Sequence, residues 1–327
     1  MNTERVLLQR LIDGPATGDA LARDSGQTRA AVWKRIEALR EAGVAIDAQA
    51  GRGYVLAQPL DLLDADAIRA LLPDEVRAQL ASLQVAWSLE STNSTLLHAS
   101  TPHTGAAVLL AERQTGGRGR RGRAWASPLA ANLYLSIARR FDGGLARLGG
   151  LSLVAGIAAA QSLRTLGARE MRMKWPNDLV IADGDGLRKL GGLLVEGGGE
   201  YAGPVRAVIG LGVNVRMPVE YATRIDQPWT DLAGLMGAAL PSRDRIAAAL
   251  IAQLLPALAQ FDAQGLAAFL PRHAALDALA GRDVVVHGGQ GDSHGIALGL
   301  TDDGALRVRV GNEECRFHAG EVSVRVR

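Results

Sequence analysis

The sequence predicts a multidomain α+β protein of three parts. Short amphipathic helices and a hairpin begin the chain, strands and helices alternate through its middle, and short strands alone form its end. These patterns predict a winged helix-turn-helix over residues 1–62, a central α/β domain with a mixed sheet over 63–276, and a small β-barrel over 277–327. With 327 residues, the chain is long enough for each part to bury its own core.

The composition is that of a soluble globular protein. Apolar residues make up 48% of the chain and charged residues 21%, and the net charge of +2 provides no global field toward nucleic acid or membrane. Cys315 is the single cysteine, so the chain has no internal disulfide framework and fits a reducing compartment. The first residues lack the pattern of a signal peptide, and we expect a cytoplasmic protein.

In the first part of the chain, residues 1–62, the sequence pattern predicts three helices and a hairpin. Apolar periodicity indicates helices over 4–12, 17–24 and 27–42, and glycine-containing turns separate the short strands within 44–56. This order is typical of a winged helix-turn-helix, which makes the third helix the recognition helix. A small helical packing or protein-interaction domain is the alternative. The candidate DNA-phosphate contacts are Arg29, Lys34, Arg35 and Arg52.

The middle of the chain alternates between the strand and helix patterns. We predict an apolar helix over 147–166 and a helical stretch over 242–270, which Pro256 should bend or interrupt. Strands are predicted at 85–89, 106–112, 132–138, 170–175, 190–197 and 205–215. Five further strands, at 282–287, 294–300, 305–310, 314–318 and 322–327, predict the terminal barrel.

A loop rich in arginine and glycine, GRGRRGRAW over 117–125, separates two of these strands. It could be a nucleic-acid patch, a dinucleotide-binding turn or a pocket for one phosphate-bearing molecule. The spacing of its glycines matches the dinucleotide fingerprint formally, but Ser127-Pro128 prevents the helix start that this fingerprint needs. Arginine forks suit phosphate oxygens, and Trp125 offers a flat face for a purine ring.

Three polar segments accompany the loop. The stretch 90–95 (ESTNST) follows a predicted strand, and 174–178 (KWPND) closes another. The stretch 188–196 (RKLGGLLVE) carries a lysine into a Gly-Gly strand, where glycines leave room for a ligand above the sheet. Together, the segments favour the pocket for a phosphate-bearing molecule.

These four segments, in this order, resemble the catalytic core of biotin protein ligases. The arginine loop, KWPND, the RKxxGxLxE strand and the GxGxN strand (210–214) are all recognisable. The winged helix in front and the barrel behind extend the resemblance to the bifunctional type, which is both ligase and biotin-operon repressor. The resemblance implies a central fold related to class II aminoacyl-tRNA synthetases, with a small SH3-like barrel behind it.

The resemblance also implies the reaction. Members of the family make biotinyl-5′-AMP from biotin and ATP with Mg²⁺, and then transfer biotin to a lysine of the biotin carboxyl carrier protein of a carboxylase. It implies catalytic roles for Lys189, Arg118 and Asp178, with Asp178 either a base or a positioning group. The implied biotin-binding residues are Ser91, Thr92, Asn93, Gln114, Gly117, Arg118, Lys189, Gly192 and Gly210.

The implied adenylate site is larger. Trp125 should pack on the adenine and Asn214 should hydrogen-bond it, while Mg²⁺ should bind chiefly through ATP phosphates. The implied adenylate- and ATP-binding residues are Arg118, Arg120, Arg121, Trp125, Asn177, Asp178, Lys189, Asn214 and Arg325. No histidine is assigned to a metal.

The expected partners are the carrier protein, operator DNA and, when adenylate is bound, a second copy of the chain. Three positions depart from the family pattern: Ala130 replaces a usual glycine, 183–186 forms a longer turn, and Trp33 lies on the recognition helix. Two alternative functions are a lipoate-type ligase and a non-enzymatic transcription factor that senses a small ligand. The winged helix could also serve interdomain regulation without specific repression.

Overall fold

The computed structural model describes residues 3–142, 144, 148–199, 205–223, 225–288, 291–320 and 322–326. The helices are α1 (Thr3–Ile12), α2 (Gly18–Ser25), α3 (Arg29–Glu41), α4 (Ala65–Ala70), α5 (Asp74–Arg77), α6 (Thr92–His98), α7 (Leu151–Thr165), α8 (Val219–Ala222), α9 (Leu232–Met236), α10 (Arg243–Gln264) and α11 (Leu270–Ala274). The strands are β1 (Ile46–Gln49), β2 (Gly53–Leu56), β3 (Leu80–Ala86), β4 (Ala106–Ala111), β5 (Leu133–Phe141), β6 (Arg172–Lys174), β7 (Asp178–Asp183), β8 (Gly186–Gly199), β9 (Val205–Val213), β10 (Asp283–Gly288), β11 (Gly291–Leu300), β12 (Leu306–Val310), β13 (Glu313–Phe317) and β14 (Ser323–Val326).

The predicted three helices and hairpin are confirmed at the start of the chain. Thr17 and Thr28 cap α2 and α3, because each hydroxyl accepts a backbone N–H of the first turn. The third helix therefore begins at Arg29, two residues later than predicted. Leu8, Val32 and other buried side chains of the three helices form a separate small core.

The winged helix packs on the segment that follows the arginine loop. Leu129 and Ala130 are buried in the small core of the winged helix, and the Leu129 N–H donates to the Ala42 carbonyl at 2.8 Å. Ala130 has φ +56, the conformation that glycine supplies most readily, which explains why glycine is usual at this position. The first domain is thus attached directly to the base of the loop.

In the described part of the chain, seven strands form the central mixed sheet in the order β3-β4-β5-β9-β8-β7-β6, and β3–β4 is its one parallel pair. The strand predicted at 85–89 is wrong in its bounds, because β3 spans Leu80–Ala86. The sequence after β3 turns away from the ladder toward α6. The β7–β8 hairpin, which contains the longer turn, pairs Asp183 with Gly186.

Helices α7 and α10 cover one face of this sheet. Helix α10 is long and apolar enough to cross a membrane, but it packs on α7 with most of its apolar residues in the protein core. Pro256 does not interrupt the helix. The helical stretch predicted to 270 is divided, because α10 ends at Gln264 and a 3₁₀ turn over Ala267–Phe269 then leads into α11. The helix predicted at 147–166 is observed as Leu151–Thr165, while residue 147 lies outside the described residues.

The five predicted terminal strands are confirmed and form one antiparallel sheet in the order β13-β12-β11-β10-β14. Residue 327, included in the last predicted strand, lies outside the described residues. Val284, Val286 and Val324 join the core of the central domain, and Trp175 Nε1 donates to the Gly304 carbonyl at 3.0 Å. The terminal sheet is therefore fixed beside the central one, with β14 facing the site described next.

Candidate active site

A cavity of about 650 Å³ lies on the face of the central sheet opposite α7 and α10. Helix α6, the arginine loop, the glycines of β8 and β9, and β14 enclose it. Seven cationic residues line it, against the two carboxylates Asp178 and Asp226. The cations are Arg118, Arg120, Arg121, Arg123, Lys174, Lys189 and Arg325. This excess of positive charge suits a polyanionic ligand.

Uncharged polar groups occupy one end of the cavity. The Ser91 hydroxyl caps α6 by accepting the Ser94 N–H. The Gln114 Oε1 accepts the Thr92 backbone N–H at 2.8 Å and lies 3.1 Å from the Thr92 hydroxyl. Gln114 Nε2 donates to the Ser127 hydroxyl at 3.2 Å. Each side chain is thus held by another, which prepares a rigid set of donors and acceptors for a polar ring.

Glycines of the sheet make room for this end of the cavity. A Cβ at Gly210 would lie 2.3 Å from Asn93 Oδ1, and one at Gly212 would lie 2.6 Å from the Trp125 ring. A Cβ at Gly192 would lie 3.2 Å from Lys189 Cε. Three functional side chains therefore occupy the volume that the glycines leave free.

The arginine loop folds on itself as a small hairpin. The Trp125 N–H donates to the Gly117 carbonyl at 2.8 Å, and Gly119 N–H donates to the Arg123 carbonyl at 2.7 Å. Arg121, at φ +57, lies in the short 3₁₀ turn at the tip. The prediction of a loop without the dinucleotide-binding helix is confirmed.

Two loop arginines are already anchored. Arg118 Nη2 donates to the Ser94 hydroxyl at 2.9 Å and lies 3.4 Å from Glu196 Oε1. Arg120 Nη1 donates to Asn177 Oδ1 at 3.2 Å, and its Nη2 donates to the Ala319 carbonyl in the turn between β13 and β14. The loop thus bridges the central and terminal sheets over the cavity.

Asp178 lies between two lysines at the start of β7. Its Oδ1 is 2.7 Å from Lys189 Nζ, and its Oδ2 is 3.6 Å from Lys174 Nζ. Burial alone would raise the pKa of Asp178, but the two lysine charges outweigh it and lower this pKa below its ordinary value. Burial lowers the pKa of Lys174, partly offset by Asp178. The carboxylate therefore stays ionised at neutral pH and holds Lys189 in the cavity.

Trp125 closes the cavity above Gly212. Its indole Nε1 is buried and, among the described residues, has no hydrogen-bond partner. Lys189 Nζ lies 5.4 Å from the centre of the ring. A buried donor without an acceptor is costly, which indicates a place that a ligand completes.

The structure brings all but two of the predicted ligand-binding residues to the cavity wall. Gly117 lies behind it, where a Cβ would meet Ser127 Oγ at 2.6 Å. Asn214 is buried, and its Nδ2 donates to the Thr230 carbonyl at 3.0 Å rather than into the cavity. The hydrogen bond expected between Asn214 and the adenine stays a prediction. Its side chain instead fixes the segment whose neighbours 226–228 line the wall.

Sequence reasoning missed two polar residues behind the wall. Ser136 is fully buried in β5, and Glu196 is partly buried in β8. Both bond to Asn93. The sequence signal for both residues was a polar side chain, a hydroxyl or a carboxylate, within an otherwise apolar strand.

The predicted DNA-binding residues lie on the winged helix, away from the cavity. Arg29, Lys34 and Arg52 are exposed, whereas Arg35 donates to Gln27 Oε1 at 2.8 Å. Trp33 is 55% exposed beside them.

Similar proteins combine the same parts. The chain is 40% identical over 322 residues to a bifunctional ligase/repressor BirA of Salmonella typhimurium, covering 98% of this chain and 96% of that protein. This chain belongs to the biotin protein ligase family. A bifunctional ligase/repressor BirA of Escherichia coli is 39% identical, covering 94% of this chain and 92% of that protein.

Family profiles match all three parts of the chain. The biotin/lipoate A/B protein ligase family matches residues 85–214, an HTH domain matches 3–55, and the biotin protein ligase C-terminal domain matches 280–325. A biotin protein ligase of Aquifex aeolicus, solved in complex with biotin and ATP, is 24% identical, with a TM-score of 0.62. The match covers 76% of this chain and 99% of the Aquifex aeolicus chain, which confirms the fold.

Proposed function

We propose that this chain is an ATP-dependent biotin protein ligase. It activates biotin as biotinyl-5′-AMP and transfers the biotinyl group to a lysine of a biotin carboxyl carrier protein. The observation that supports this function is the division of one cavity into an uncharged polar end and a cationic end, joined at Arg118 and Lys189. A ureido ring, a carboxylate and a triphosphate need these surroundings in this order.

The first step joins biotin to the α-phosphate of ATP. A biotin carboxylate oxygen attacks the α-phosphorus, the bond to the β-phosphate oxygen breaks, and pyrophosphate leaves. Lys189 and Arg118 bring the two anions together and stabilise the charge that develops on the phosphate. Ser91, Thr92 and Gln114 hold the ureido ring, while Gly192 and Gly210 form the floor beneath it.

The nucleotide occupies the cationic end. Arg120, Arg121 and Arg325 bind phosphate oxygens, and Trp125 stacks on the adenine, where its indole N–H gains a partner. Magnesium enters as the ATP complex. Among the described residues no group of three His, Cys, Asp or Glu side chains forms a metal cage, so the triphosphate itself supplies ligands for the ion.

The second step transfers biotin to the carrier. The neutral lysine amine attacks the acyl carbonyl, the bond to the phosphate oxygen breaks, AMP leaves, and the attacking nitrogen loses one proton to solvent. Asp178 acts here as a positioning residue rather than a base, because the two lysine charges lower its pKa and make it a weak proton acceptor. It holds Lys189 against the adenylate.

ATP–pyrophosphate exchange with the purified chain tests this function. Three reactions are compared: biotin, lipoate, and no added acid. We expect exchange with biotin alone, followed by labelling of the carrier lysine in a second assay. Exchange with lipoate alone would make the chain a lipoate-type ligase. Exchange with neither acid would make it a ligand-sensing regulator.

The same chain is a biotin-responsive transcriptional repressor. Exposed Arg29, Lys34 and Arg52 supply phosphate contacts, and a homodimer formed with bound adenylate presents two winged helices to two half-sites. An open edge of the central sheet is the proposed dimer surface, completed by the loop over 113–125 when adenylate binds. A dimerisation constant that adenylate leaves unchanged would contradict this arrangement.

DNA binding is tested with duplexes selected by the protein from a random-sequence pool in the presence of biotin and ATP. Lys34→Ala should weaken binding several-fold and reduce the salt slope by about one, as for a lost phosphate contact. Arg69→Ala, a change of an exposed arginine on α4, is the matched control. Failure to select any sequence would favour a winged helix that serves interdomain regulation only.

The domain limits follow from this function. We propose that residues 1–62 bind DNA, 63–276 catalyse, and 277–327 close the nucleotide end of the cavity. The protein acts in the cytoplasm, where its carrier, ATP and DNA are all present.

A further inference from the structure

Ser136 is a buried hydroxyl beneath the ring-binding end of the cavity. Its Oγ lies 2.6 Å from Asn93 Oδ1 and 2.7 Å from the Thr92 hydroxyl. The side chain is fully buried in β5, where alternate residues are apolar. A polar group in this position must have its hydrogen bonds satisfied, and both of its neighbours belong to the first turn of α6.

Asn93 has only one orientation in this network. Its Nδ2 donates to the Leu194 carbonyl at 3.1 Å and to Glu196 Oε2 at 2.9 Å. Both of these partners are acceptors only, so the amide cannot be reversed. Its Oδ1 therefore faces Ser136 as an acceptor.

This orientation fixes the proton of Ser136. A hydroxyl has a single proton, and Asn93 Oδ1 can only accept, so Ser136 donates to Asn93. The contact between Ser136 and Thr92 then requires that the Thr92 hydroxyl donate its proton to Ser136. The Thr92 oxygen is left as an acceptor toward the cavity, while Gln114 Oε1 is still satisfied by the Thr92 backbone N–H.

Glu196 extends the network to the cationic end. Its carboxylate accepts from Asn93 and also lies 3.4 Å from the Arg118 guanidinium. One carboxylate thus holds both the amide that orients Ser136 and the arginine that meets the carboxylate of the substrate. The two ends of the acid substrate are aligned by one set of bonded side chains.

We propose that Ser136 and Glu196 are positioning residues for biotin. Ser136 directs the Thr92 hydroxyl so that its oxygen accepts an N–H of the ureido ring, and Glu196 fixes Asn93 and Arg118. This inference rests on the proposed function, because it takes biotin as the acid. Neither residue reacts; each acts through the side chains that contact the substrate.

Steady-state pyrophosphate exchange with Ser136→Ala tests the first part. The variant leaves Asn93 Oδ1 without its donor and frees the Thr92 hydroxyl to turn toward Gln114. We expect the KM for biotin to rise about tenfold, while the KM for ATP stays within about twofold. Isothermal titration with biotin alone should show the same loss in affinity without relying on catalysis.

Ser162→Ala is the matched control, since Ser162 is equally buried on α7 and its hydroxyl has no hydrogen-bond partner among the described residues. It should leave both KM values unchanged. Equal rises in the KM for biotin and for ATP in Ser136→Ala, or an unchanged KM for biotin, would overturn the proposal. Absence of biotin-dependent exchange in the wild-type chain would instead overturn the proposed function.

Glu196→Gln tests the second part. The variant keeps an acceptor for Asn93 but removes the charge beside Arg118, so kcat for exchange should fall several-fold with a smaller change in the KM for biotin. The double-mutant test uses Glu196→Ala, which also removes the acceptor for Asn93. Combined with Ser136→Ala, its loss in kcat/KM should be smaller than the product of the single losses, because both variants then act through Asn93. A fully multiplicative loss would show that the two residues act independently and would contradict a shared network.

Discussion

Two neighbouring rungs of the central sheet show how its two faces differ. Ile137 pairs with Ile209, and the adjacent Ser136 pairs with Gly210. The isoleucines point into the core under α7 and α10, whereas Ser136 and Gly210 lie beneath the cavity. Successive residues of a strand point to opposite faces, so the same two strands build a core on one side and a binding floor on the other.

This difference separates stability from substrate binding. The apolar face depends on the side-chain volume that it buries, because each buried methylene contributes to stability. The cavity face requires residues without a side chain, because Asn93 and Trp125 occupy the space above Gly210 and Gly212. Substitutions on the two faces should therefore change different measurements.

Removal of the central cation should have the largest effect. We expect Lys189→Ala to lower kcat for pyrophosphate exchange by about 10²–10³-fold, the cost typical of losing a preorganised electrostatic group. Thermal unfolding should also shift downward, because the buried Asp178 carboxylate loses its nearer ion-pair partner. Lys34→Ala, on the exposed recognition helix, should leave exchange unchanged. Near wild-type exchange by Lys189→Ala would show that this lysine takes no part in the reaction.

Truncation on the apolar face should have the opposite pattern. Ile137 is fully buried, and Ile137→Ala should lower the free energy of unfolding by about 2–5 kcal/mol in urea denaturation. The KM for biotin, measured well below the unfolding transition, should remain near the wild-type value. Ile137→Val should cost about 0.5–1.5 kcal/mol. A large rise in the KM for biotin would show that the two faces are not separable.

Addition of one methyl group on the cavity face sharpens the comparison. In Gly210→Ala the new Cβ would displace Asn93, so the KM for biotin should rise tenfold or more in the exchange assay. Gly198→Ala, on β8 with no heavy atom near the added Cβ, is the matched control and should bind biotin normally. Equal behaviour of the two variants would argue against Gly210 as part of the binding floor.

Much of this arrangement could be predicted from the sequence, because period and turn chemistry are local. The helices of the winged helix, the five terminal strands and the glycine-rich loop follow from residues close in the chain. The bounds of β3 could not be predicted, since residues 80–84 acquire strand structure by pairing with β4. Of the two outcomes predicted for Pro256, an interruption does not occur, because helix α10 is held by packing against α7.

The candidate site was predictable to the extent that its motifs are contiguous. The pairing of Lys189 with Asp178 depends on the β7–β8 hairpin, whose register no short motif reveals. Ser136 and Glu196 were missed because their importance comes from Asn93, over 40 and about 100 residues away in the chain. Asn214 follows its motif, yet Thr230 supplies the partner that turns its amide away from the cavity.

Acid should remove the contribution that the ionised Asp178 carboxylate makes to folding stability. Lysine charges lower the folded-state pKa of this carboxyl below its unfolded value, so its contribution to stability is complete above the unfolded value and is lost as pH falls through the folded one. The difference in unfolding temperature between wild type and Asp178→Asn should thus be constant near pH 7 and shrink below about pH 4. A difference that persists unchanged to pH 3 would mean that the lysines do not stabilise the ionised carboxylate, and the positioning of Lys189 would need another cause.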